Sequence, residues 1–118
     1  MAQQPMPTDL LQCCSPLARE LLSETDADEL ASVMKALADP TRLRLLSLIQ
    51  SYADGEACVC DLTGPVDLSQ PTVSHHLKVL LDAGLVTRTK RGTWAYYRAV
   101  PERLDMLATI LAVPVGSG

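Results

Sequence analysis

The stretch Ser69 to Leu81, SQPTVSHHLKVLL, constrains the fold more than any other part of the chain, because it carries a start signal, a buried stripe and a polar face. Ser69 can cap the first free amides of a helix, and Pro71 falls in the first turn, where a missing N–H costs little. Val73, Leu77, Leu80 and Leu81 recur at spacings that put them on one side of a helix with about 3.6 residues per turn. Gln70, Thr72, Ser74, His75, His76 and Lys78 then point mostly away from the core. With Ser69, these side chains can hydrogen-bond base edges and phosphates in a major groove. A solvated helix face has a similar composition, so the neighbouring sequence decides.

That neighbour is AGLVTRTKRGTWAYYRAV. Gly84 ends the helix, and Leu85 to Lys90 and Thr93 to Val100 are β-rich runs separated by Arg91-Gly92, which predicts a hairpin. Arg88, Lys90 and Arg91 crowd its tip. A recognition-type helix followed by a two-stranded basic ribbon is the winged helix-turn-helix arrangement, so the expected class is mainly α with a β-hairpin wing (α+β).

Charge is consistent with a local nucleic-acid surface. The net charge is −4, which argues against a uniformly basic binder. From Ser69 to Arg98, however, Lys78, Arg88, Lys90, Arg91 and Arg98 face a single acid, Asp82, while residues 1–39 set Arg19 and Lys35 against seven acids. A basic patch on an acidic chain can still neutralise phosphates, and the acidic remainder limits indiscriminate binding. With 118 residues the chain has single-domain length and room for a modest core. Phe is absent, so that core should be mainly Leu, Val, Ile and Met.

Along the chain, residues 1–9 are polar and Pro-containing and are expected to be disordered. Leu10 to Leu22 holds Cys13-Cys14 and a short apolar helix opened by Ser15-Pro16. Thr25 with Asp28 predicts a capping pair opening a helix whose inner face is Leu30, Val33, Met34 and Leu37. Asp39-Pro40 opens the next helix, with Leu45, Leu46 and Ile49 inward. Arg42 and Arg44 read as solvated or ion-paired, and Gly55 marks the end of this helix. Cys58 to Thr63 predicts a short helix, and Gly64-Pro65 onward to Leu68 a turn aiming Ser69. Pro101 opens a last helix with Leu104, Leu107, Ala108 and Leu111 on one side. The expected organisation is an arm over 1–25, a DNA-binding and dimerisation domain over 26–113 and a flexible tail over 114–118. The arm and last helix are the expected dimer surfaces.

Cys58-Val59-Cys60 is the second chemical centre. Inside a helix, residues two apart point about 200° away from each other, so both sulfurs cannot face one ion. At a helix start the cap residue lies off the helix, and free N–H groups with the helix dipole favour thiolate. Cys58 is therefore placed at a helix start, and soft thiolates select thiophilic ions. His75-His76 diverge by about 100° on a helix and are poorly placed to share zinc. Trp94, Tyr96 and Tyr97 read as wing packing.

DPTRLRLLSLI, CVCDL, LSQPTVSHHLKVLLDAGLV and RGTWAYYR resemble, in order and spacing, the ArsR/SmtB family of metal-responsive bacterial repressors, over roughly Leu30 to Leu111. The resemblance implies a cytoplasmic homodimer, neither an enzyme nor a membrane protein, that binds double-stranded operator DNA through Ser69, Gln70, Thr72, Ser74, His75, His76 and Lys78 and the wing residues Arg88, Lys90 and Arg91. It also implies thiolate sensing at Cys58 and Cys60. Some arsenic sensors of the family carry a third Cys where this chain has Thr63, so further thiolates must come from Cys13 and Cys14. As(III) is the favoured inducer, with Sb(III), Cd(II) and Pb(II) as alternatives and a thiol-redox switch as rival. The family's other zinc site uses acids and histidines on the last helix. Here that helix offers Glu102 and Asp105 without His, so that site is expected to be absent.

Overall fold

The computed structural model describes residues 22–112. The arm cysteines Cys13 and Cys14, and the terminal segments predicted at both ends, lie outside the described residues. The described elements are α1 (Glu24–Leu37), α2 (Pro40–Ser51), β1 (Glu56–Cys58), α3 (Val59–Val66), α4 (Gln70–Asp82), β2 (Val86–Arg91), β3 (Trp94–Ala99) and α5 (Pro101–Leu111). They form two compact units, with the boundary inside α1 after Ser32; the larger unit runs from Val33 to Val100.

In the larger unit, local chemistry opens the helices. Asp39 accepts from the N–H groups of Thr41 and Arg42 with Pro40 in the first turn of α2, and Ser69 accepts from Thr72 N with Pro71 in the first turn of α4. Gly84, at φ 77°, lets the chain leave α4, while Leu85 N–H returns to Leu80 O. The core is formed by Leu45 and Ile49 of α2, Leu62 of α3, Val73, Leu77 and Leu80 of α4, and Leu85, all with no exposed surface. Removing a side chain such as Leu77 to Ala costs about 2–5 kcal/mol at such sites. Leu81 is only half-buried, so the predicted stripe of α4 narrows to three residues.

The sheet has the order β1-β3-β2, antiparallel throughout. β2 and β3 form the predicted hairpin, but the turn is Gly92-Thr93 rather than Arg91-Gly92: Arg91 pairs with Trp94, and Gly92, at φ 65°, takes the first central position, where a two-residue turn requires a positive φ. β1 is an additional strand, pairing Cys58 with Tyr96 and Glu56 with Arg98. Gly55, at φ 67°, turns the chain into it.

Another correction concerns Gly64-Pro65, which lies inside α3 and not in a turn. Pro65 withholds the N–H that would otherwise bond the Asp61 carbonyl, and Tyr52 Oη donates to that carbonyl at 3.3 Å. Arg44 Nη2 donates to Pro65 O at 3.0 Å. The reversal comes later, at Asp67, which is left-handed with φ 56°.

In the smaller unit Leu30, Leu107 and Ile110 are buried. α5 therefore turns Ile110 inward, whereas the predicted Ala108 and Leu111 are exposed. At the start of α1, Ser23 Oγ accepts from Asp26 N–H, so the cap lies two residues before the predicted Thr25. Met34 of the predicted inner face is 40% exposed.

Candidate nucleic-acid interface and thiolate centre

α3 and α4 are the helix-turn-helix pair, and α4 offers its polar side to solvent. Ser69, Gln70, Thr72, His75 and Lys78 are exposed, while Ser74 and His76 are half-buried. Lys78 Nζ pairs with Asp82 at 3.2 Å one turn on. Both partners are well exposed, so the pair contributes little and leaves the ammonium free to exchange partners. The rings of His75 and His76 lie 5.7 Å apart and tilted by 58°.

The wing rises beside this helix. A groove of about 560 Å³ between α4 and the hairpin is lined by Gln70, Ser74 and Lys78 on one side and Arg88, Lys90 and Trp94 on the other. Arg88 and Lys90 are exposed and have no carboxylate partner among the described residues. Arg91 differs: its Nη2 donates to both carboxylate oxygens of Glu56 at 2.9 Å, and its guanidinium lies 4.5 Å from the centre of the Tyr96 ring. The three predicted wing cations therefore split into two free charges and one already paired. Of the wing aromatics, Tyr97 packs inward, Tyr96 supports Arg91, and Trp94 is half exposed in the groove.

Arg42 is ion-paired, one of the two expected states, with Nη1 3.9 Å from Asp39 Oδ2. Its Nε donates to Ala36 O at 2.6 Å, its Nη2 to Lys35 O at 3.4 Å, and its Nη1 lies 3.1 Å from His76 Nδ1. The Arg42 backbone N–H donating to Asp39 leads the effects that hold the Asp39 carboxyl below the usual carboxylate range, outweighing partial desolvation. Neither this arrangement nor the Glu56–Arg91 pair was visible in the sequence, since the partners are 34 and 35 residues apart.

Cys58 sits where the sequence placed it, as the extended cap residue before α3. Its sulfur accepts from Cys60 N–H at 3.2 Å, and its own N–H donates to Asp61 Oδ2 at 3.1 Å. The cap conformation brings together sulfurs that a helix interior would separate. They lie at disulfide distance and are joined, with Cα atoms 5.1 Å apart. Cys58 is buried and Cys60 exposed, so the pair opens to solvent on one side. Among the described residues no cluster of three or more His, Cys, Asp or Glu side chains is disposed to hold a metal ion.

Residues 39–88, from the Asp39 cap into the wing, match the sequence pattern described as bacterial regulatory protein, arsR family. The chain is 44% identical over 79 residues to the arsenical resistance operon repressor of Staphylococcus xylosus, covering 67% of this chain and 73% of that protein. Its fold is similar to that of the AntR antimony-specific transcriptional repressor, with a TM-score of 0.64 and 35% identity over 80% of this chain and 88% of the other. It is also similar to the homodimeric winged helix-turn-helix DNA-binding domain of a possible ArsR-family transcriptional regulator from Mycobacterium bovis, with a TM-score of 0.61 and 32% identity over 75% and 83% of the two chains.

Proposed function

Since the chain belongs to the arsR family of bacterial regulatory proteins, we propose that it is a homodimeric repressor that binds an inverted-repeat operator and releases it when As(III) is captured by cysteine thiolates. The observation that carries the inducer half of this reading is the meeting of the Cys58 and Cys60 sulfurs at the start of α3, the first helix of the pair whose second helix is α4. The DNA half rests on the exposed polar side of α4 and the free Arg88 and Lys90 beside it. Twofold symmetry then matches a near-palindromic site, with one α4 per half-site.

Trivalent arsenic is satisfied by three thiolates, and Cys58 and Cys60 supply two. The third comes from the arm, from Cys13 or Cys14; a chain giving one of two consecutive side chains is geometrically easier to place than one giving both. Soft ligation explains why a thiophilic ion, and not a hard one, is the signal. Capture drives release only through a difference in inducer affinity between the DNA-bound and free geometries, and about 3 kcal/mol of such coupling weakens operator binding by more than 100-fold.

The test uses a duplex enriched from a random-sequence pool by the reduced protein. Titrating the complex with As(III), Sb(III), Cd(II), Pb(II) and Zn(II) should give release by As(III) at the lowest concentration. Release by Cd(II) or Pb(II) in preference would move the chain to the cadmium and lead sensors, and no release by any of them would remove the metalloid. The joined Cys58–Cys60 pair favours one second reading, a thiol-redox switch. Dissociation by peroxide in the absence of metalloid would identify it.

A further inference from the structure

We infer that Arg42 is a positioning residue for the DNA interface: it fixes His76 as the Nε2–H tautomer and so presents a preset hydrogen-bond donor to an acceptor atom of bound DNA. The inference rests on the DNA-binding reading above and adds to it a residue outside the helix-turn-helix pair.

A guanidinium has only N–H donors. With Arg42 Nη1 3.1 Å from His76 Nδ1, the ring nitrogen must be the acceptor, and a neutral imidazole then carries its proton on Nε2. Arg42 cannot easily swing away. Its Nε and Nη2 donate to the carbonyls of Ala36 and Lys35 in the last turn of α1, where unsatisfied carbonyls favour a cation. Asp39 Oδ2, at 3.9 Å, closes the other side, and the Arg42 side chain is only 16% exposed. The end of α1, the cap of α2 and the middle of α4 thus converge on one guanidinium.

The contrast with the adjacent residue is informative. His75 is exposed and makes no side-chain hydrogen bond or ion pair among the described residues, whereas His76 is half-buried and tethered through Nδ1. His76 Nε2 has no hydrogen-bond partner among the described residues, so its N–H is available. A donor whose ring is already held loses less freedom on binding than a free one. The acceptors that DNA offers are phosphate oxygens and, in the major groove, purine N7, guanine O6 and thymine O4.

Nitrogen-15 NMR of the full chain with labelled histidine reads the tautomer directly in the DNA-free protein. A lone-pair signature at His76 Nδ1 is expected, and a protonated Nδ1 overturns the inference whatever any variant does. Binding to the enriched duplex supplies the second arm. His76→Gln places an amide N–H near the Nε2 position and should stay within about threefold of the parent, whereas His76→Asn should lose about tenfold, the scale of one hydrogen bond. Arg42→Met should match His76→Asn and be non-additive with it; should it not fold, the histidine variants and the spectrum decide. Loss on enriched and random duplexes alike assigns a phosphate oxygen, and loss confined to the enriched duplex assigns a base edge. Unchanged binding by His76→Asn overturns the inference alone, while a parent that binds no DNA overturns the reading beneath it.

Discussion

The division of the wing cations into free and paired charges has a measurable consequence in salt dependence. Each phosphate neutralised by a side chain adds about 0.9 to the slope of log K against log salt. Lys90 and Arg88 have no carboxylate partner among the described residues, so replacing Lys90 by Ala removes one neutralised phosphate per wing, or about 1.8 units of slope for a dimer with two wings. Between 50 and 200 mM salt, the parent's advantage over Lys90→Ala should then shrink by about 12-fold. Arg91 already gives two hydrogen bonds to Glu56. Arg91→Ala removes a cation and leaves the Glu56 carboxylate with only the longer 3.9 Å contact to Arg98, so its slope should change by less than about half as much, even where the affinity falls. Fluorescence anisotropy on enriched and random duplexes at several salt concentrations separates these cases. A slope for Arg91→Ala as flat as that for Lys90→Ala would refute the argument from pairing, and full parental slopes for Lys90→Ala and Arg88→Ala would remove the wing from the interface.

Other outcomes follow from the same geometry. Cys58→Ser and Cys60→Ser should each bind DNA like the parent and fail to release with As(III), since a hydroxyl keeps the capping acceptor at Cys58 but gives up soft ligation; normal induction in either variant counts against the Cys-x-Cys as sensor. X-ray absorption should show three sulfur neighbours around arsenic in the parent and fewer in the Cys13→Ser/Cys14→Ser double variant, and three retained sulfurs would make the arm merely structural. The lowered pKa of Asp39 means that the unfolded chain binds its proton more readily than the folded one, so the stabilisation is complete above the ordinary value of 3.8 and is lost as pH falls through the folded value. Urea unfolding across that acid range should accordingly show a shallower decline in Asp39→Asn than in the parent. Tyr52→Phe should cost about 1 kcal/mol by leaving the Asp61 carbonyl without its donor, measured as a fall in urea midpoint at constant slope.

What was legible in the sequence was what is decided locally. Ser69, Pro71 and Gly84 act on backbone groups within a few residues, so the limits of α4 could be read to within one residue. Cys58 as a helix cap was legible for the same reason. β1 was not, because Glu56-Ala57-Cys58 is too short to show alternation and becomes a strand only through pairing with β3. Pro65 was read as a breaker because its remedy, Tyr52 Oη, lies outside the local sequence. The distinction between Arg88 or Lys90 and Arg91 depends on Glu56, and the role of Arg42 depends on His76. Residue type announces a charge, but only the fold shows what has already claimed it.

Cys58 is both the last residue of β1 and the cap of α3, so no loop separates sheet from helix. A linker would absorb a twist in its soft dihedrals, whereas a junction of one residue has two, and one side of it is locked to Tyr96 by the ladder. A rotation at Cys58 would therefore be passed to the hairpin beyond Tyr96 with that residue as its pivot. From Tyr96 to the turn at Gly92 is four residues, or roughly 13 Å of strand, so a tilt of about 10° at the pivot becomes roughly 2 Å at the tip. If the wing holds phosphates as proposed, a shift of that size exceeds the few tenths of an ångström over which a hydrogen bond keeps its geometry, so Arg88 and Lys90 would have to reorient to keep theirs.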